Sequence, residues 1–219
     1  MTSFNVLISG MDSYGTINKT TRNDVNMIAT INPNTNKVLL TSIPRDYYVQ
    51  LHGKTGYKDK LTHAGIYGIN TVVQTIEDLF GIDINYYVRV NFTTVESLVN
   101  IIGPIEIYSD KAMSLDGCKY VVGTNTVNGK CALRFARERH SYVEGDNHRI
   151  KNQQEVIKGI FNKLSKSAMV VTDYTSILDA LDGKVATNMD MKDITAFIKY
   201  ELEDITKYEI LDTQVTGTG

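Results

Sequence analysis

No apolar stretch in this chain approaches the ~20 residues needed to span a bilayer. The beginning does not read as a secretory leader either, because Met1-Thr2-Ser3 runs straight into the strand-like Phe4-Asn5-Val6-Leu7-Ile8. Proline-rich, serine-rich and single-sign charged runs are missing, so nothing marks a linker, and no internal repeat is visible. A basic excess is lacking: the formal net charge is −2 and the pI about 6.1. That argues against broad nucleic-acid binding, which draws on a basic face, and leaves room for a local basic cleft. G-x-S-x-G, H-E-x-x-H and P-loop signatures are absent, so Ser/His/Asp nucleophilic catalysis has no local support. His52, His63, His140 and His148 show no metal-ligand spacing.

Cysteine occurs only at Cys118 and Cys131, on either side of a hairpin-like stretch from Lys119 to Val127. An even count in an exported domain fits a disulfide, which would stabilise by roughly 3 kcal/mol in the chain-entropy model. Two unrelated buried thiols fit the spacing as well. A metal site is disfavoured because no His pair stands nearby.

What is present is an ordinary globular composition, 42% hydrophobic and 22% charged over 219 residues, which suits one domain spanning 1–219 with a real core. Apolar runs over 5–9, 25–31 and 38–43 read as strands. The second and third are joined by Asn32-Pro33-Asn34-Thr35-Asn36, whose turn residues predict a hairpin. A further strand is expected over 47–51. Helical spacing runs from 64 to 80 with Gly81 as its stop. A strand over 86–90, a helix over 93–102 and a strand over 105–108 follow. Helices are then expected from 129, over 148–164, over 176–181 and over 193–200, with a closing strand at 208–211. Interleaved strands and helices with at least one hairpin predict an α/β fold, a three-layer α/β/α sandwich around a central mixed sheet.

Arginine is sparse, 7 against 16 lysines, and five of the seven fall in three polar clusters. Arg22 lies in Thr21-Arg22-Asn23-Asp24, Arg45 in Ser42-Ile43-Pro44-Arg45-Asp46, and Arg137, Arg139 and Arg149 in the run from Arg137 to Gln153. A planar, always-charged fork suits phosphate or carboxylate, so these clusters form a polyanion site if the fold gathers them. Asp12 follows the first strand and Asp24 opens the next. If the two strands are antiparallel neighbours, both carboxylates meet at one sheet edge, where they suit Mg²⁺; as separate residues they are ordinary turn-formers. Arg45 is held at a strand exit by Pro44, or simply pairs with Asp46. Arg149 and Gln153 share a helical face near a helix start, where anions are favoured. Asp146, just before that helix, reads first as its N-cap. Arg137 and Arg139 can share a ligand only if the helix ends near Arg137, since two residues apart on a helix they point about 200° apart. That ending is predicted; the alternative pairs either Arg with Glu138 or Glu144 at the surface.

The ordered set of segments resembles the LytR–CpsA–Psr family of cell-wall glycopolymer ligases. The matching stretches are Gly10-Met11-Asp12, Thr21-Arg22-Asn23-Asp24, Ser42-Ile43-Pro44-Arg45-Asp46-Tyr47-Tyr48-Val49, Asp59-Lys60-Leu61-Thr62-His63-Ala64, Tyr87-Val88-Arg89-Val90-Asn91-Phe92, Ala132-Leu133-Arg134-Phe135-Ala136-Arg137-Glu138-Arg139, and Gly145-Asp146-Asn147-His148-Arg149-Ile150-Lys151-Asn152-Gln153. The resemblance implies an extracellular, membrane-anchored phosphotransferase, and the present chain would suit an excised soluble part of it. Such an enzyme moves capsular polysaccharide or teichoic acid from a polyprenyl pyrophosphate carrier to peptidoglycan, forms a phosphodiester, uses Mg²⁺ and holds the lipid in an apolar tunnel. Position by position, it assigns Asp12 and Asp24 to Mg²⁺, and Arg22, Arg45, Arg137, Arg139, Arg149 and Gln153 to the pyrophosphate. Asp146 would orient one of these Arg or accept the proton of the incoming hydroxyl. Arg45, Arg137 and Asp146 are the expected catalytic residues. Asn152 stands where many members carry Arg, which resembles the capsule-associated branch. The same residues would serve a pyrophosphatase, with water replacing the sugar hydroxyl. A non-catalytic polyanion-binding or regulatory module is the third reading; the slightly acidic chain and the lack of a helix-turn-helix signature argue against nucleic acid as its partner.

Overall fold

The computed structural model describes residues 3–56, 58–143, 145–165, 174–197 and 208–216. In chain order its elements are β1 (Phe4–Met11), β2 (Val25–Asn32), β3 (Lys37–Ile43), β4 (Tyr48–Gln50), β5 (Lys58–Lys60), a 3₁₀ turn (Leu61–Tyr67), α1 (Ile69–Phe80), β6 (Tyr86–Asn91), α2 (Phe92–Ile102), β7 (Ile105–Ser109), β8 (Met113–Leu115), β9 (Cys118–Tyr120), β10 (Gly123–Val127), α3 (Gly129–Arg137), α4 (Asp146–Ser165), α5 (Tyr174–Ala180), β11 (Ala186–Thr187), α6 (Met191–Phe197) and β12 (Glu209–Gln214). They fall into two compact units, the first drawn from residues 1–93, 183–196 and 207–219, the second from 94–182 and 197–206.

The first unit carries the mixed sheet, in the order β11-β6-β1-β2-β3-β12. The predicted hairpin forms: β2 and β3 are antiparallel, and Asn36 takes the left-handed conformation (φ 50) that Asn tolerates at a turn. β1 is antiparallel to β2 and parallel to β6, and β12 is parallel to β3. β1, β3, β6 and β12 therefore run the same way. Leu7, Ile28, Ile43, Leu51, Leu61, Val72 and Ile76 pack together in this unit's core. The helix expected over 64–80 is broken. Gly68 adopts φ 102, which no α-helix passes through, so a 3₁₀ turn precedes α1. Gly81 stops α1 in the left-handed conformation, as predicted.

The second unit packs Val99, Ile102, Ile105, Ile107, Tyr120, Val127, Phe135 and Val156 into its own core. Cys118 and Cys131 form a disulfide with a Cα–Cα distance of 5.5 Å. The stretch between them is not a hairpin: β9 pairs with β8, and β10 pairs with β7. The reason lies at Asn125, whose side chain accepts from Val121 N–H at 2.8 Å and donates to Val121 O and Gly123 O, shaping a bend that sends β10 to another partner. α5 begins at Tyr174, ahead of the expected 176, and the last three residues of the helix expected over 193–200 lie outside the described residues.

Candidate functional site

The first unit gathers one set of candidates at a single sheet end. Gly10 stands opposite Val25 in the β1–β2 register, and Asp24 N–H donates to Gly10 O at 2.8 Å. Asp12, just past β1, and Asp24, just before β2, therefore flank the same end of an antiparallel pair, as the sequence required for a shared edge. Ile43 lies opposite Asn26, so the exit of β3 brings Pro44 and Arg45 to that end too. The carboxyl ends of the parallel-running strands of an open α/β sheet are where sites are usually built.

Asn23 organises the junction. It is fully buried, accepts from Ser9 Oγ at 2.5 Å, and donates through Nδ2 to Val25 O and to Asn26 Oδ1. Its backbone N–H donates to Thr62 O at 2.9 Å, and Thr62 N–H in turn donates to Arg45 O at 2.8 Å. With Asn23 anchored inward, its neighbours face outward: Arg22 is exposed and Asp24 is half-buried. Arg45 Nη1 donates to Asp24 Oδ1 at 2.7 Å, and its Nε lies 3.7 Å from Asp46 Oδ2. Asp46 also receives Lys60 Nζ at 2.8 Å. The expected Arg45–Asp46 pairing thus occurs beside one to Asp24 that the sequence did not predict, within a line of alternating charges. Next to it His63 Nδ1 lies 2.8 Å from Asp59 Oδ1, and this hydrogen bond holds the Asp59 carboxyl below its ordinary value.

The second unit carries the other candidates. Asn128 caps α3 by accepting from Cys131 N–H at 3.0 Å. The helix ends at Arg137, as predicted, because Glu138 is extended (φ −69, ψ 129). Arg137 and Arg139, both exposed, are therefore not tied to opposite faces of one helix. Arg139 Nε approaches His140 Nε2 at 3.4 Å, and Glu138 accepts from Ser141 N–H at 2.6 Å rather than pairing with an arginine in that bond. Glu144 lies outside the described residues. On α4, Arg149 is 8% exposed and Gln153 half-buried, one turn apart. Asn152 is buried, with Nδ2 at 3.5 Å from Glu138 O, a link between α4 and the α3 exit. Asp146 is the first residue of α4 rather than its cap: Gly145 O accepts the first helical bond, from Arg149 N–H at 3.1 Å. The Asp146 side chain lies outside the described part of the structure.

The residues that sequence reasoning passed over are Ser9, Asn23 and Asn26, a polar network under the carboxylates, and Arg89 on β6. For Ser9, Asn26 and Arg89 the signal was a polar residue inside an otherwise apolar strand, which costs energy unless the group has a task; Asn23, in the loop before β2, carried no such signal. Among the described residues no three His, Cys, Asp or Glu side chains cluster for a metal, and no helix is long and apolar enough to cross a membrane.

Comparison with known proteins places these features in context. The LytR_cpsA_psr family model matches residues 1–219. The polyisoprenyl-teichoic acid–peptidoglycan teichoic acid transferase TagU of Enterococcus faecalis is 33% identical over 220 residues, covering 99% of this chain and 71% of the relative. The crystal structure of Bacillus subtilis TagU superposes with a TM-score of 0.77 at 30% identity, over 100% of this chain and 87% of that one. A structure of TagT bound to LI-WTA superposes with a TM-score of 0.77 at 28% identity, over 99% of this chain and 80% of that one.

Proposed function

The chain belongs to the LytR_cpsA_psr family, and on that premise we propose that it transfers a glycopolymer from a polyisoprenyl diphosphate carrier to peptidoglycan. The acceptor hydroxyl oxygen attacks the phosphorus that bears the glycan. The bond from that phosphorus to the bridging oxygen breaks, and polyisoprenyl monophosphate departs. The new phosphodiester joins polymer to acceptor, and the hydroxyl proton passes to a base.

The observation that carries this reading is the Asp24–Arg45 contact at the carboxyl end of the sheet, 2.7 Å long, in a chain whose relatives act on polyisoprenyl-linked teichoic acid. Phosphoryl transfer asks a protein mainly for positioning and charge neutralisation. Arg22, Arg45, Arg137, Arg139, Arg149 and Gln153 are the residues proposed for the diphosphate, with Arg45 and Arg137 counted among the catalytic set. Asp146 is the proposed proton acceptor or the group that orients one of these arginines.

Asp12 and Asp24 would hold Mg²⁺. Two carboxylates flanking one sheet end, one exposed and one half-buried, fit an ion that takes one or two carboxylates and completes its shell with waters and phosphate. When bound, the ion would neutralise charge on the phosphates.

The relatives' names favour teichoic acid as the polymer. The Asn at 152 is the feature that favours a capsular polysaccharide. The Cys118–Cys131 disulfide supports placement outside the reducing cytosol, and a membrane anchor beyond this segment belongs to the same proposal.

The test is incubation with a polyisoprenyl-diphosphate-linked glycan, Mg²⁺ and a peptidoglycan oligomer, followed by product analysis. A phosphodiester-linked glycan on the oligomer supports transfer. Lipid monophosphate with no linked product makes the chain a pyrophosphatase instead, and tight lipid binding without turnover makes it a binding module.

A further inference from the structure

Arg89 sits inside β6 opposite Ser9 of β1, and only 5% of its surface is exposed. Its Nη2 donates to Lys19 O at 3.1 Å, and its Nε has no hydrogen-bond partner among the described residues. Burial is the main influence on this guanidinium and lowers its pKa; no carboxylate among the described residues counters it. Taking a cation out of water is costly, and one carbonyl does not balance the five N–H donors of an arginine. An apolar side chain of similar length would serve the core at least as well.

What Arg89 touches explains its presence. Lys19 lies in the middle of the loop that joins β1 to β2, and that loop carries Asp12 at one end and Arg22 and Asp24 at the other. The end of β6 holds the first half of the same loop. Phe92 N–H donates to Ser13 O at 3.1 Å, Asn91 Nδ2 donates to Gly15 O at 2.9 Å, and Thr93 Oγ1 accepts from Gly15 N–H at 3.0 Å. Tyr14 packs edge-on against Phe92 with ring centroids 5.0 Å apart. These contacts pin residues 13–15. Arg89 reaches the stretch beyond them, close to Arg22.

We propose that Arg89 is a positioning residue: through the Lys19 carbonyl it fixes the middle of the 12–24 loop and so sets the separation of Asp12 from Asp24 and the placement of Arg22. Arginine suits the task because it stays charged when buried and its fork directs a donor at one carbonyl over a long reach. The inference rests on the reading that Asp12 and Asp24 hold the divalent ion.

The experiment compares Arg89→Met and Arg89→Lys with the unaltered chain in three measurements: thermal midpoint, hydrogen exchange across residues 13–22, and Mn²⁺ affinity by paramagnetic titration. For Arg89→Met the expected result is an unchanged or higher midpoint, faster exchange across the loop, and Mn²⁺ binding weakened tenfold or more. Arg89→Lys, which keeps the charge and a single donor group at the end of the side chain, recovers part of both losses. A sharp fall in midpoint, or loop exchange that does not change, overturns the proposal. If Arg89→Met does not fold, Arg89→Lys decides by the same exchange readout. If the unaltered chain binds no Mn²⁺, the metal reading fails by itself, and loop exchange still tests the role of Arg89.

Discussion

Arg45 and Asp24 are joined by a 2.7 Å hydrogen bond between Nη1 and Oδ1, so the arginine proposed for the diphosphate and a carboxylate proposed for the metal are each other's partner. The pair is only partly exposed, 25% for the Arg45 side chain and 14% for Asp24. A double-mutant cycle of Arg45→Ala and Asp24→Asn, read by denaturant unfolding, is expected to give a coupling on the order of 1 kcal/mol. Strict additivity would mean the contact contributes nothing to the fold.

Gly65 lies where a Cβ would come 2.4 Å from Thr21 O and 2.9 Å from the Asn23 backbone. Gly65→Ala must therefore push the Thr21–Asp24 segment away from the 3₁₀ turn. The expected cost is about 1–3 kcal/mol of stability, typical of overpacking, together with a lower turnover because Arg22 and Asp24 move with the segment. A crystal structure of Gly65→Ala with the segment unmoved would contradict this.

Asn23→Ala removes the group that satisfies Ser9 Oγ and Asn26. Buried polar groups left unsatisfied cost about 1–3 kcal/mol each. The variant should unfold at clearly lower denaturant, whereas Asn34→Ala at the exposed β2–β3 turn should change little.

Much of the frame was legible in the sequence. The β2–β3 hairpin, the Gly81 stop, the end of α3 at Arg137 and the Asp12/Asp24 edge all follow from local turn chemistry, capping and strand pairing, which act over a few residues. What was not legible depends on partners far along the chain. Gly68 breaks a helical pattern whose apolar spacing is otherwise continuous, because spacing reports a face and not a backbone angle. β9 and β10 look like two arms of a hairpin, yet each pairs with an earlier strand. Asn23, Arg89 and Gly65 gain meaning only when Thr62, Lys19 and Thr21 are brought beside them.

The disulfide closes a separation of 13 residues between β9 and the first turn of α3, the helix that ends at Arg137. Its reduction, or Cys118→Ser with Cys131→Ser, should lower stability by roughly 3 kcal/mol. Calorimetry with and without reductant checks this, and an unchanged transition would refute it.

Tyr120 is 2% exposed, donates from its hydroxyl to Cys131 O at 2.7 Å, and has its pKa raised by burial to about 12. The unfolded tyrosine ionises near the ordinary value of 10. Its contribution is therefore complete below pH 10 and is lost as pH rises from 10 towards 12, where the unfolded chain binds fewer protons than the folded one. Unfolding curves should show stability falling across that window, and Tyr120→Phe should flatten the fall. An equal slope in the variant would assign it to other groups.

The most direct measurement is transfer itself, made with the unaltered chain, Arg45→Ala and Asp24→Asn under one set of conditions, with each variant's thermal midpoint recorded alongside. The expected result is a phosphodiester-linked glycan on the peptidoglycan oligomer that depends on Mg²⁺ and falls by about 10²-fold or more in both variants while they remain folded. Full transfer by folded Arg45→Ala, or no linked product from the unaltered chain with carrier, acceptor and Mg²⁺ supplied, would contradict a transferase built on this sheet end.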